Sequence, residues 1–230
     1  MPVFFHIDPY YLLFLAPAFL LAMWAQMRVH SAYARAQGQA ASLSGAAAAR
    51  HVLDSAGLSN VEIQQIPGEL TDHYDPRDKV LRLSQAVYQS RSLAAVGIAA
   101  HEAGHAIQDA RHYAPLAIRN AAVPVANFGG QFSFVLFFIG MLVSWLWFLM
   151  PAGIVLFAAV VFFQLINLPV EFDASNRAKA QLVALGIADN EQMVYVNGVL
   201  NAAAWTYVAA TLQVFLTLLY LITRAAGERR

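Results

Sequence analysis

Apolar residues in this chain gather into long unbroken runs instead of alternating with polar ones. Residues 120–170 contain no Lys, Arg, Asp, Glu or His. One helical crossing of a bilayer takes about 20 apolar residues, so this stretch is long enough for two. Its pattern predicts helices over 132–149 and 154–168, joined by a tight turn at Met150-Pro151-Ala-Gly153. Residues 9–27 form a second charge-free run, and 192–223 a third, with its apolar part at 202–222. Four membrane-spanning helices are therefore expected.

Shorter periodicities lie between the runs. Residues 44–55 read as a helix stopped by Gly57. Residues 61–66 alternate polar and apolar, as a half-buried strand does. Residues 71–74 and 80–83 flank Asp75-Pro-Arg-Asp78, a turn-rich tetrapeptide, and predict a hairpin. Ser84 or Ser92 can cap the helices that follow, one of which is expected over 92–109. The pattern predicts a mainly α integral membrane protein, one membrane-embedded domain over 1–230. A small α+β region at 28–119 carries the 92–109 helix, and 169–201 continues the third span toward the fourth.

Composition supports a membrane setting. The chain is 59% hydrophobic and 12% charged, whereas soluble domains carry about 25% charged residues. The first run is unlike a signal peptide, although Ala32-Tyr-Ala34 resembles a cleavage site. Asp8 precedes it, Arg28 and Arg35 follow it, and it exceeds an h-region of about 7–15 residues. It reads as an uncleaved anchor with its N-terminus outside. Eleven of the 14 Lys and Arg residues fall in 28–119 and 171–201, so the positive-inside rule places both segments in the cytoplasm. Arg224, Arg229 and Arg230 oppose this orientation if the last helix spans; the alternative is a re-entrant helix. Net charge is zero with no Lys/Arg-rich run, so no nucleic-acid partner is expected. The absence of cysteine excludes disulfides and thiolate metal ligands.

The candidate chemistry sits in the 92–109 helix, at His101-Glu-Ala-Gly-His105. Residues i and i+4 lie about 40° apart around a helix, so both imidazoles can face one ion. Glu102 between them can act as general base toward a water; this is the zinc-peptidase pattern. A catalytic zinc has three protein ligands and one open position. Glu171, directly after the third span, is the best third ligand, with Asp173 its competitor. Asp109, one turn past His105, can orient that ring's free nitrogen. Tyr207 can donate to an oxyanion, or is an interfacial aromatic. His73 and His112 are near the motif in sequence only. Trp145, Trp147 and Phe148 read as an interfacial belt. Gly104 lets a neighbouring helix or a substrate backbone approach closely.

Four segments together carry a family resemblance: Gly68-Glu-Leu-Thr-Asp-His-Tyr-Asp-Pro76, His101-Glu-Ala-Gly-His-Ala-Ile-Gln108, Pro169-Val-Glu-Phe-Asp-Ala-Ser175 and Leu200-Asn-Ala-Ala-Ala-Trp-Thr-Tyr-Val-Ala-Ala210. Nearly the whole chain resembles the YugP-type bacterial membrane zinc peptidases. More distantly, the order of motif, two spans and then Glu is similar to HtpX and the CAAX-prenyl endopeptidases. That resemblance implies a gluzincin-like region with Glu171 as third zinc ligand. Those gluzincins carry an Asp four residues after that Glu, as a partner for a ligand. Ser175 stands there in this chain and is the candidate partner at that position, with Asp173 and Asp109 as alternatives.

The resulting expectation is a zinc endopeptidase of the bacterial cytoplasmic membrane, with its site on the cytoplasmic side. His101, His105 and Glu171 hold Zn²⁺, and Glu102 serves a metal-activated water. Val80, Leu81, Arg82 and Leu83 are expected to bind substrate as an edge strand. Substrates are polypeptides in or near the bilayer, by analogy those of protein quality control. The alternatives are a non-catalytic scaffold with a vestigial or structural metal site, and a metal-dependent hydrolase of another amide or a lipid. Protein partners are not indicated.

Overall fold

The computed structural model describes residues 9–227; Asp8, Arg229 and Arg230 lie outside them. Seven α-helices and three strands follow in the order α1 (Pro9–Gln37), α2 (Gly45–Ser55), β1 (Glu62–Ile66), β2 (His73–Asp75), β3 (Val80–Ser84), α3 (Gln85–Tyr88), α4 (Leu93–Ala110), α5 (Ala114–Leu142), α6 (Leu149–Ala184) and α7 (Asn190–Gly227). Helices α1, α5, α6 and α7 are each long and apolar enough to cross a membrane. The protein is a mainly α membrane protein with a small α+β region. The described residues form two compact units: one drawn from residues 9–24, 118–168 and 206–227, the other from Ala25–Ala117 and Pro169–Trp205.

In the first unit, Phe137, Met150, Phe157, Val161 and Leu221 form a buried cluster. Phe128, Phe132, Val135, Phe138 and Leu142 of α5 remain exposed, as befits side chains that face lipid. The turn after α5 differs from the expected one. It falls at residues 143–148, around a 3-10 turn at Ser144–Leu146, not at Met150–Gly153. Helix α5 also begins at Ala114 instead of residue 132. Pro151 sits in the first turn of α6, where a backbone N–H has no intrahelical partner to lose. Gly153 is a packing position: a Cβ there would lie 2.5 Å from the Ser133 carbonyl oxygen. Exposed Trp145 and Trp147 occupy the true turn.

The second unit is built around α4. Ser44 caps α2 by accepting from Ala47 N–H, and Gly57 ends it at φ +77°. The sheet has the order β1-β3-β2, with β1 parallel and β2 antiparallel to β3. The predicted hairpin is present, and Asp75 accepts from Arg77 N–H and from Arg82 across its turn. Strand β3 is nevertheless the middle strand, paired on both sides. Val80, Leu81, Arg82 and Leu83 therefore offer no free edge, which corrects their expected role as a substrate edge strand. The edges are β1 and β2.

Ser92 caps α4, accepting from Ala95 N–H; such a cap contributes about 1 kcal/mol. Ser84 stands at the N-cap position of α3 without a side-chain cap bond, and donates its N–H and Oγ–H to Asp72. Most of α4 is buried against the core through small residues, including Ala94, Ala95, Gly97, Ala99, Ala100, Ala103, Gly104 and Ala106. Only Ile98, His101, Glu102, His105, Asp109 and the terminal Ala110 are not fully buried. The first five share one face at i, i+3, i+4, i+7 and i+11 spacing. The polar residues of the motif thus occupy the one stripe that the core leaves uncovered.

Candidate metal centre

Gly104 determines how close the next element comes to that stripe. A Cβ on Gly104 would lie 2.5 Å from the Ala174 carbonyl oxygen. The segment of α6 after Pro169 therefore packs backbone to backbone on α4. Ala174 and Ala178 are fully buried there. This approach carries Glu171 to the two imidazoles. Glu171 Oε2 lies 3.3 Å from His101 Nε2 and 3.6 Å from His105 Nε2. The two rings stand nearly perpendicular, at 86°, with centroids 4.9 Å apart.

The far nitrogen of each ring is engaged as well. His101 Nδ1 lies 3.0 Å from Ser175 Oγ, and His105 Nδ1 lies 2.9 Å from Gln108 Oε1. Asp109 does not orient His105; its carboxylate accepts from Tyr74 O–H at 2.9 Å. Asp173 is not at the cluster of ligand atoms. It accepts from Gln108 Nε2 and from Arg177 Nε. Glu102 accepts from Tyr74 N–H at 3.2 Å. Tyr207 lies in the compact unit that includes α7 from Thr206 onward. His73 Nδ1 donates to Thr71 O, and Asp75 is taken up by the hairpin turn.

Electrostatics follow from this burial. Burial pushes the Glu102 carboxyl above the ordinary carboxylate range, although both imidazoles pull it down. His105 is shifted upward: burial opposes its charged form, but the nearby Glu171 and Glu102 carboxylates outweigh that. The Tyr74 hydroxyl is raised, first by burial and then by its bond to Asp109.

The donor set fits a zinc ion. The ligand atoms of His101, His105 and Glu171 all lie within 4.8 Å of one another. Tetrahedral zinc with bonds of about 2.0–2.1 Å separates its ligand atoms by about 3.4 Å, close to the two distances to Glu171. Two imidazoles and a carboxylate, without thiolate, are the ligands of a catalytic rather than a structural zinc site.

Residues 11–226 match the protein family described as "Putative neutral zinc metallopeptidase". The chain belongs to this family. It is also 47% identical over 194 residues to "Putative membrane protease YugP" of Bacillus subtilis (strain 168), covering 84% of this chain and 86% of that protein. No solved structure matches significantly. Family membership and the donor set agree on zinc as the metal.

Sequence reasoning passed over Gln108 and Tyr74. Gln108 lies one turn after His105 on the same helix, a spacing that could have marked it. Tyr74 reaches Glu102 and Asp109 only through the sheet, and no local pattern announces that.

Proposed function

We propose that this protein is a membrane-bound zinc endopeptidase that cleaves polypeptides in or beside the bilayer. The observation that carries the reading is the convergence of His101, His105 and Glu171 next to the Glu102 carboxylate, on the uncovered face of a buried helix. His101, His105 and Glu171 would hold the ion. Zinc bound there would polarise a peptide carbonyl and make water more acidic. Glu102 accepts a proton from the attacking water and returns it to the leaving amine. Tyr74 N–H holds the Glu102 carboxylate in place for that exchange. Ser175 and Gln108 hold the two ligand rings. With β3 paired on both sides, β2 is the edge nearest this chemistry, since its Tyr74 N–H already points to Glu102. An extended substrate would add to that edge. Peptide-bond cleavage is favoured over lipid hydrolysis because an open strand edge recognises a polypeptide backbone.

The test compares the purified protein, zinc-loaded, with its Glu102→Gln form on unfolded membrane polypeptides. Loss of a general base lowers rate by about 10²–10⁴-fold, with zinc content unchanged. Equal cleavage by both forms would remove Glu102 from the chemistry. No cleavage by the wild type, with a cellular role that Glu102→Gln supports equally, would favour a scaffold. The site is proposed to face the cytoplasm. Cysteines placed at Ser90 and Asp189, in a chain with no native Cys, should label from the cytoplasmic side only. Labelling from the outer side would reverse the orientation.

A further inference from the structure

Gln108 is the fully buried polar residue nearest the metal centre, at 0% exposure, and both ends of its amide are committed. Its Nε2 lies 2.8 Å from Val170 O and 2.8 Å from Asp173 Oδ2. A carbonyl and a carboxylate only accept, so the amide nitrogen must face them. The amide oxygen then faces His105 Nδ1 at 2.9 Å. An amide oxygen also only accepts, so Nδ1 carries the ring proton and Nε2 keeps its lone pair on the side of Glu171. His101 has no such constraint, because the Ser175 hydroxyl opposite its Nδ1 can donate or accept.

The same amide reaches the third ligand. Val170 is the residue before Glu171, so the bond from Gln108 to Val170 O pins the backbone that carries Glu171. The same Asp173 oxygen also accepts from Arg177, whose guanidinium lies 5.6 Å from the Tyr113 ring centroid. The chain of contacts thus runs from Tyr113 through Arg177, Asp173 and Gln108 to His105. We infer that Gln108 is a positioning residue that fixes the tautomer of His105 and holds the Glu171 segment of α6 in register with α4. One buried amide thereby couples two of the three metal ligands. This inference rests on the metal centre proposed above, and not on the identity of the substrate.

The test uses the full-length protein in lipid nanodiscs. It reads zinc affinity by competition with a chelator, and separately the unfolding midpoint of the metal-free protein. Gln108→Glu keeps the shape but sets carboxylate oxygens against Val170 O and Asp173 Oδ2. Loss of a partner that orients a metal ligand costs about 10–100-fold in metal affinity, and that loss is expected for Q108E. Adding Asp173→Asn places an amide donor opposite Glu at position 108, and should recover most of the lost affinity. Should Q108E not fold, Gln108→Leu removes the same pairings without a charge and should show the same loss. A purely structural role would shift the metal-free midpoint and leave the affinity of folded protein unchanged. Wild-type affinity in folded Q108E or Q108L, or no recovery in Q108E/D173N, overturns the inference. A wild-type protein that binds no zinc would fail differently, by removing the metal centre itself.

Discussion

Helices α4 and α5 are both apolar over most of their length, yet they solve opposite problems. Helix α5 carries bulky residues and leaves many exposed, such as Phe128, Phe132 and Phe138. Helix α4 carries alanine and glycine and buries nearly all of them. The first pattern suits a helix whose surroundings are lipid, where bulk outside costs nothing. The second suits a helix enclosed by protein, where small residues let backbones approach and a few polar groups share the one open stripe. Hydropathy marks α5 and not α4 as long and apolar enough to cross a membrane, and residue size separates them further. The candidate metal ligands His101 and His105 belong to the enclosed helix, because ligand positions set to within a fraction of an ångström need dense packing.

The largest effect that can break this comparison is expected at two adjacent phenylalanines of α5. Phe137 is 1% exposed and Phe138 47%. Phe137→Ala should destabilise the protein by about 3–5 kcal/mol, the usual range for a buried phenylalanine. Phe138→Ala should cost below about 1 kcal/mol. Unfolding in lipid or detergent micelles measures both. Similar losses at the two positions would remove the distinction between lipid-facing and core faces.

A smaller loss of stability, with a larger loss of metal, is expected in α4. Gly104→Val would force carbon to within 2.5 Å of the Ala174 carbonyl oxygen. Overpacking of this kind costs about 1–3 kcal/mol. It should also move Glu171 away from the imidazoles and empty the site of zinc. Gly130→Ala in α5, where an added Cβ meets nothing within 4 Å, should be neutral or slightly stabilising, by about 0.5–1 kcal/mol. Zinc content and thermal midpoint, read together, separate the two glycines. Full zinc in Gly104→Val would show that the close backbone approach does not place the third ligand.

The smallest effect is electrostatic and belongs to the hairpin beside the site. The Asp75 carboxyl is held below its ordinary range, first by Arg77 N–H and then by its bond to Arg82. A depressed carboxyl contributes stability that is present above its unfolded value, about 3.9, and lost as pH falls through the folded one. Wild type should therefore lose stability below about pH 4 more steeply than Asp75→Asn. Parallel acid profiles for the two proteins would show that the hairpin bond carries no linkage.

Much of this was legible in the sequence, because the relevant signals are local. Charge-free runs located the apolar helices, Ser44 and Gly57 bounded α2, and the i, i+4 histidines located the pair that meets Glu171. Glu171 was legible from its position just past a long apolar run. The turn after α5 was misplaced because Pro151 and Gly153 are punctuation residues that here serve a helix: one fits a first turn, the other a close contact. The role of β3 was misjudged because strand order depends on a crossover pairing between β1 and β3, which alternation cannot reveal. Gln108 was passed over because its importance lies in three partners, two of them more than sixty residues away.

The central claim is that α4 and the start of the post-Pro169 segment of α6 build one zinc site from His101, His105 and Glu171. Elemental analysis of the purified protein tests it most directly, beside His105→Ala, Glu171→Ala and Asp173→Ala. The account predicts about one zinc per chain in the wild type. It predicts a sharp fall in His105→Ala and Glu171→Ala, and a smaller reduction in Asp173→Ala. Full zinc in Glu171→Ala together with its loss in Asp173→Ala would contradict the account, because the third ligand would then be a residue that the structure keeps on Gln108 and Arg177.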